Sequence, residues 1–237
     1  MEGKLMNLYN NKITRRTNLW IRNHAVCPRF RRKLHNTNAT ILCNNCTGGF
    51  VYHDFGMRFN SPTINMFFRG LDFFEFVEHL DVYILQPLIQ IPNPKHDPDA
   101  PDYPVAILQG GSLGLKDIEL HFLHYKTFAE ANEKWEMRKK RIDRDNLFLV
   151  WTFFGMPRDE ELYQRAQALP VKNKVLFVNH PIDNGLYPDF YYIKGFEDQI
   201  GVGQLGEFVD LCGHRYYDQF DFVSWLNKEN ENGSAEA

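Results

Sequence analysis

Thr40-Ile41-Leu42-Cys43-Asn44-Asn45-Cys46-Thr47-Gly48-Gly49-Phe50 is a short apolar run cut off by two asparagines, a cysteine and two glycines, after which a new apolar pattern starts. The run reads as a buried strand, the polar break as a tight turn, and Thr47 onward as the first turn of a helix. Such a junction aims backbone N–H groups and the positive end of a helix dipole at one spot, where a thiolate is stabilised. Cys46 is therefore the candidate nucleophile. Asn44, Asn45 and Gly48 are the candidate donors to a developing oxyanion, with Gly49 beside them.

Outward from this junction, strands are expected over 39–43, 82–86, 104–108, 117–124, 147–152, 174–178 and 190–193, and helices over 47–55, 71–80, 127–142, 159–168 and 218–227. Two helices carry strong local signals. Phe73, Phe76, Val77 and Leu80 fall on one stripe at i, i+3, i+4 and i+7. Thr127 with Glu130 forms a capping box, followed by the favourable pairs Glu130/Lys134 and Glu136/Lys140. Strands alternating with helices imply an α/β fold: one domain with a mostly parallel central sheet and helices on both faces. The domain spans 36–228, between a basic arm or helix at 1–35 and a disordered polar tail at 229–237. Five prolines mark 91–104 as a loop, a lid or a stiff surface insertion. Five glycines make 195–215 an irregular return segment.

The net charge of −3 is unevenly spread. Residues 1–35 carry nine Lys/Arg against Glu2, a local +8 that leaves −11 on the rest of the chain. Such an arm could meet anionic lipid or dock on its own acidic domain; Trp20, Ile21, Val26 and Phe30 interleave with the charges and favour docking. A pI near 6.3 and the absence of a recognisable motif exclude nucleic acid as the expected partner. Four cysteines are too few for a disulfide framework in 237 residues. No apolar run approaches the roughly 18 residues of a membrane span, and the first residues lack a signal peptide's apolar segment. The expected home is the cytoplasm or the inner face of the membrane.

Further constellations bear on chemistry. Cys43-Asn-Asn-Cys46 matches C-x-x-C, but Cys43 ends a strand instead of opening a helix, and no second pair with zinc spacing exists, so neither a metal nor a redox pair is expected. Gln109-Gly110-Gly111-Ser112-Leu113-Gly114 lacks the Lys-Ser/Thr of a phosphate loop. Asp117 to Tyr125 reads as a strand with Asp117, Glu119 and His121 on one face and Ile118, Leu120, Phe122 and His124 on the other. If it runs parallel to the first strand, His124 at its carboxyl end is the candidate base for Cys46, with His121 the second choice. Arg138 and Arg141 could hold a phosphate, a pyrophosphate or a sugar acid.

Asn44-Asn45-Cys46-Thr47-Gly48-Gly49, Ser61-Pro62-Thr63-Ile64, the Asp117–Tyr125 strand, Lys134-Trp135-Glu136-Met137-Arg138, Arg141 to Phe148 and Gly213-His214-Arg215-Tyr216-Tyr217 together resemble a bacterial domain family of unknown function whose members are often labelled exopolysaccharide biosynthesis proteins. The resemblance runs from about Leu34 to Asn227. That family tends to have Ser where Cys43 stands and an aromatic where Thr47 stands, which takes Cys43 out of any shared mechanism; the link into the Asp117 strand is also longer here. Asn45-Cys46 is also similar to the Gly-Asn-Cys-Gln found after the first strand of capsule-biosynthesis acyltransferase-like relatives of SGNH hydrolases. These likenesses imply acyl transfer to, or deacylation of, a saccharide or saccharide–lipid, with no tightly bound cofactor and an acyl-CoA as donor. Arg138 and Arg141 would clamp that donor, flanked by Trp135 and Asn146. Two other readings stand beside this one. The first is a glycosyltransferase using a nucleotide sugar, with Asp117 and Glu119 available to a metal. The second is a non-catalytic binding protein using aromatic segments 66–76, 187–192 and 216–217. The oligomeric state is open.

Overall fold

Leu42, Leu149, Trp151, Leu176 and Val178 belong to one buried apolar cluster, and Ile41, Cys43, Phe148, Val150, Val175 and Phe177 to another. Strands that are apolar on both faces need cover on both sides, which is the situation of a parallel sheet. The computed structural model, which describes residues 8–69, 71–95 and 102–232, shows that sheet. Strands β1 (Thr40–Cys43), β5 (Leu147–Thr152), β6 (Asn173–Val178) and β7 (Phe190–Tyr192) pair in parallel in the order β1-β5-β6-β7. Cys43 lies opposite Val150, Val150 opposite Val175, and Leu176 opposite Phe190.

Helices α3 (Thr47–Asp54) and α8 (Phe222–Asn232) supply cover on one face through Val51, Tyr52, Phe55, Phe222, Trp225 and Leu226. The other face is covered by α4 (Asp72–Glu78), α5 (Leu80–Tyr83), α6 (Phe128–Lys139), α7 (Glu160–Gln167) and a small antiparallel sheet. That sheet is β2 (Ile89–Gln90), β3 (Val105–Leu108) and β4 (Ile118–His121). The expected α/β architecture is thus present as one domain. Thr127 does cap α6, its hydroxyl accepting from the Glu130 amide. A short 3-10 turn covers Tyr216–Gln219, and α8 starts only at Phe222 and runs on to Asn232, past Lys228. The expected tail beyond 232 and residues 96–101 of the proline loop lie outside the described residues.

Two sequence expectations fail here. Residues 82–86 are not a strand: Leu80, Tyr83 and Ile84 are buried at helical spacing and continue the stripe of α4, so packing overrides the β propensity of Val82, Tyr83 and Ile84. The histidine strand does not join the parallel sheet either. β4 pairs antiparallel with β3, so no shared strand direction brings His124 beside Cys46.

The basic arm is helical and docked. Helix α1 (Lys12–Ile21), a π turn (Arg22–Val26) and α2 (Cys27–Lys33) follow one another without a break. Pro28 explains the wide turn: its ring cannot sit over the carbonyl of His24 and it donates no hydrogen bond, so the Cys27 amide reaches back to the Arg22 carbonyl instead. Arg22 is thereby turned fully inward. Its Nε donates to Asp54 at 2.6 Å, Nη1 to Asp218 at 2.6 Å and the Gly213 carbonyl at 2.8 Å, and Nη2 to Asp218 at 2.9 Å and Tyr217 at 2.5 Å. The Tyr217 hydroxyl in turn donates to Asp54. Burial alone would raise the Asp54 carboxyl, but Arg22, Arg215 and Tyr217 outweigh it and hold it below the usual carboxylate range. Further along, Arg31 donates to the carbonyls of Asp54 and His53 at the end of α3, and Phe30 stacks on Phe55 at 4.8 Å.

Candidate functional site

β1 is an edge strand, and what lines its open edge defines the site. The Ile41 amide donates to the Tyr52 hydroxyl at 2.7 Å and the Cys43 amide to the Thr63 hydroxyl at 3.0 Å, so α3 and a strap of residues 58–68 cover the edge. The strap also ties the two sheets together. Its Phe68 amide donates to the Asn44 carbonyl, and Phe67 exchanges two backbone hydrogen bonds with His121. Asn65, at φ 63, is the one non-glycine residue with positive φ among those described, and its carbonyl takes the His124 amide. Asparagine tolerates this left-handed conformation better than most residues, and strain of this kind gathers at functional sites.

The junction residues are built differently from the expectation. Asn44 is buried and spent on the scaffold: its amide side chain exchanges two hydrogen bonds with the backbone of Thr152, extending the β1–β5 ladder by one rung. Asn45 accepts from the Thr47 amide at 3.0 Å and from the Cys43 thiol at 3.5 Å. The backbone N–H groups of Asn45, Gly48 and Asn44 face the sulfur of Cys43, not an open position next to Cys46. The intended oxyanion environment is therefore filled by a buried thiol, and burial still pushes that thiol up to about 12. Gly48 must be glycine because a Cβ there would come within 2.8 Å of the Cys43 Cβ. Gly49 faces the Asn65 side chain across ordinary contact distance.

Cys46 caps α3 without a side-chain hydrogen bond and is half-buried. Burial pushes its thiol up to about 11, so at neutral pH it is a neutral thiol. His124 lies beyond β4 on an exposed turn. His121 is fully buried, stacked on Phe67 at 4.8 Å with Nε2 3.5 Å from Glu119. Burial raises the phenol of Tyr125, on the segment that follows β4, and Cys46 adds to that shift only once its thiol is ionised. Because burial raises the thiol above its unfolded value, its ionisation is delayed on raising the pH. Alkylation of Cys46 in a Cys212→Ser background is expected to be slow at pH 7 and to climb only toward about pH 11; a rate that levels off below about pH 8 would mark an activated thiolate instead.

Tyr125 leads to the second half of the site. Its hydroxyl donates to the Ile64 carbonyl at 3.0 Å and accepts from Arg138 Nη1 at 2.6 Å. Arg138 is 7% exposed, lies 5.2 Å over the Phe59 ring, and its Nε has no hydrogen-bond partner. Arg141 donates to the Phe59 carbonyl at 3.1 Å, and its pKa is lowered by burial and by the nearby charges of Arg58 and Arg138. Among the described residues no carboxylate forms an ion pair with Arg58, Arg138 or Arg141. Arg58 and Arg138 both bring positive charge to Arg141, and Arg138 is buried, an arrangement that a bound anion would relieve. Arg58, Tyr125 and Asn65 had not been singled out in the sequence; only the left-handed asparagine and the strap's contacts disclose them.

The remaining candidates lie elsewhere. Trp135 is 1% exposed and belongs to the core beside Phe76. Asn146 pairs its amide with that of Asn36 at 2.8 and 2.9 Å, at the amino end of β5 and hence the opposite end of the sheet from Cys46. Asp117 caps the preceding glycine turn by accepting from Gly110, and Glu119 is buried in the small sheet. The aromatic segments proposed as a binding surface are mostly interior: Phe68, Phe73, Phe74, Phe76, Tyr187, Phe190 and Tyr217 are all buried. Among the described residues no three of His, Cys, Asp and Glu converge as metal ligands, and no helix is long and apolar enough to cross a membrane.

Residues 18–227 match a family described as Domain of unknown function (DUF1919). The chain belongs to this family. A relative from Haemophilus influenzae (strain ATCC 51907 / DSM 11121 / KW20 / Rd), named only as an uncharacterized protein, is 40% identical over 200 residues, which cover 83% of this chain and 88% of the relative. The family match takes in the junction, the strap, Tyr125, Arg58, Arg138 and Arg141, and starts within α1.

Proposed function

We propose that this DUF1919 chain is a transferase that takes a group from a pyrophosphate-bearing donor and passes it to a saccharide or saccharide–lipid in the building of a cell-surface or exopolysaccharide. The observation that carries the reading is the carboxylate-free cluster of Arg58, Arg138 and Arg141, in which Arg138 donates to Tyr125. Nucleotide sugars and acyl-CoA share the pyrophosphate that such a cluster suits, and guanidiniums there would also stabilise charge gathering on a leaving phosphate. Saccharide as the acceptor rests on the likeness to proteins labelled for exopolysaccharide biosynthesis.

The two donors imply different steps. With a nucleotide sugar, an acceptor oxygen bonds to the anomeric carbon as the bond from that carbon to the phosphate oxygen breaks, and the hydroxyl proton leaves to a base. With acyl-CoA, the Cys46 sulfur takes the acyl group and CoA leaves as the thiol with the Cys46 proton; a sugar oxygen then bonds to the acyl carbon as its bond to the Cys46 sulfur breaks, and the hydroxyl proton returns to that sulfur. The neutral, half-buried Cys46 favours the first. Both would run in the cytoplasm or at the inner face of the membrane.

Thermal unfolding with UDP, with CoA and with inorganic pyrophosphate, each with and without manganese, tests the reading. A saturating donor fragment is expected to raise Tm by about 5–10 °C. A shift with UDP, together with transfer that survives Cys46→Ala, assigns direct glycosyl transfer; a shift with CoA, together with transfer abolished by Cys46→Ala, assigns the acyl route. No shift with any of the three overturns the proposal.

A further inference from the structure

The arm's inner face is spent on the Arg22 network, but its outer face is bare. The unbroken rod α1–π–α2 is about 33 Å long. Residues 8–35 contain eight Lys/Arg and no Asp or Glu. Arg22 is buried and Arg31 is used on α3. Lys12, Arg15, Arg16, Arg29, Arg32 and Lys33 are exposed and form no ion pair among the described residues, although Glu207 feels the charge of Arg15 and Asp221 that of Lys33. Between these cations stand Trp20, 63% exposed and stacked on His24 at 4.7 Å, and Ile13, 78% exposed. Ile13, Arg16, Thr17, Trp20 and His24 follow helical spacing, so the apolar and cationic groups share one outward stripe.

We infer that this face docks the protein on an anionic lipid surface. A helix lying in the headgroup layer needs cations for the phosphates and an aromatic anchor that reaches the acyl boundary. Trp20 has the amphipathic ring that suits that depth, and the absence of any acid on the rod removes the like-charge repulsion that would oppose docking. A polyanion such as nucleic acid would satisfy the cations but leaves Ile13 and Trp20 without a role. The fold positions the face for this: the Arg22 network and the reciprocal bonds of Asn10 with the Phe208 backbone hold the rod against the body, so the stripe needs no rearrangement to meet a plane. The inference is independent of the donor site.

Trp20 gives a direct readout, because Trp135, Trp151 and Trp225 are buried. Full-length protein mixed with phosphatidylcholine vesicles containing about 30% phosphatidylglycerol at about 100 mM salt is expected to co-sediment, with its tryptophan emission shifted to the blue. Binding is expected to vanish on pure phosphatidylcholine and to weaken by about 100-fold or more when Lys12, Arg16 and Arg29 are all changed to Glu, since each basic residue contributes about fivefold. Trp20→Ala is expected to weaken binding and abolish the blue shift. These four positions are exposed, so unfolding curves of the variants are expected to match the parent's. No co-sedimentation with the anionic vesicles overturns the inference, as does equal binding to neutral ones. Retention of a DNA duplex, or self-association, that depends on Arg16 and occurs without vesicle binding overturns it as well and reassigns the face.

Discussion

Arg22→Met is expected to cost the fold about 3–5 kcal/mol, lowering Tm by about 10 °C or more. All five guanidinium N–H bonds of Arg22 are used, on two carboxylates, a tyrosine hydroxyl and a carbonyl, with no solvent exposure. Removing it leaves the carboxylates of Asp54 and Asp218 without their main counter-charge, which is the expensive way to break a buried pair. It also releases the joint between the arm, α3 and the segment after Gly213. The pH dependence follows from Asp54. Its carboxyl is held below the unfolded value, so the stability it contributes is present above the unfolded pKa and is lost as pH falls through the folded one. Urea unfolding between pH 7 and 3 is therefore expected to show a shallower acid limb in Arg22→Met than in the parent. A loss below about 1 kcal/mol would put the network on a par with an exposed ion pair and refute its structural role.

Arg138→Met is expected to behave in the opposite way. Arg138 is buried beside two other arginines with no carboxylate partner among the described residues, so a methionine of similar reach should leave stability within about 1 kcal/mol of the parent or raise it. Tyr125 keeps its bond to the Ile64 carbonyl, which limits the loss. Donor binding should instead fall by about 10- to 100-fold, the worth of one or two charge-assisted hydrogen bonds. This contrast separates a charge retained for a ligand from one retained for the fold. A loss of several kcal/mol in Arg138→Met with unchanged binding of UDP, CoA or pyrophosphate would make Arg138 a strut and remove the basis of the proposed donor site.

The two charges look alike in the sequence, each an arginine in a basic stretch of helix. That Arg138 and Arg141 lie together was legible because they sit one turn apart at the end of a well-capped helix. Arg58, which completes the cluster, is more than 80 positions away from Arg141 along the chain and joins it only because the strap folds back along β1. Cys46 was legible as a junction cysteine, but whether helix N–H groups meet its sulfur or that of Cys43 depends on how Gly48 packs against Cys43. His124 and His121 were assigned from strand direction, which a single strand's alternation does not reveal.

What the sequence determined by itself is whatever local chemistry decides. The strand–turn–helix at 40–54, the two-faced apolar strands β5 and β6, the Thr127 cap of α6 and the extent of α7 follow from periodicity, propensity and capping within a few residues. Those patterns were enough for an α/β domain with a parallel sheet. The tertiary structure alone decided which strands pair, that β4 belongs to a separate antiparallel sheet, and that 82–86 continues a helical stripe instead of forming a strand. It also decided that Asn44 and Asn146 are struts and that Arg22 is interior while its neighbours face outward. Each of these depends on which distant segment supplies the hydrogen bond or the counter-charge. A residue's own neighbours in the chain carry no record of that choice.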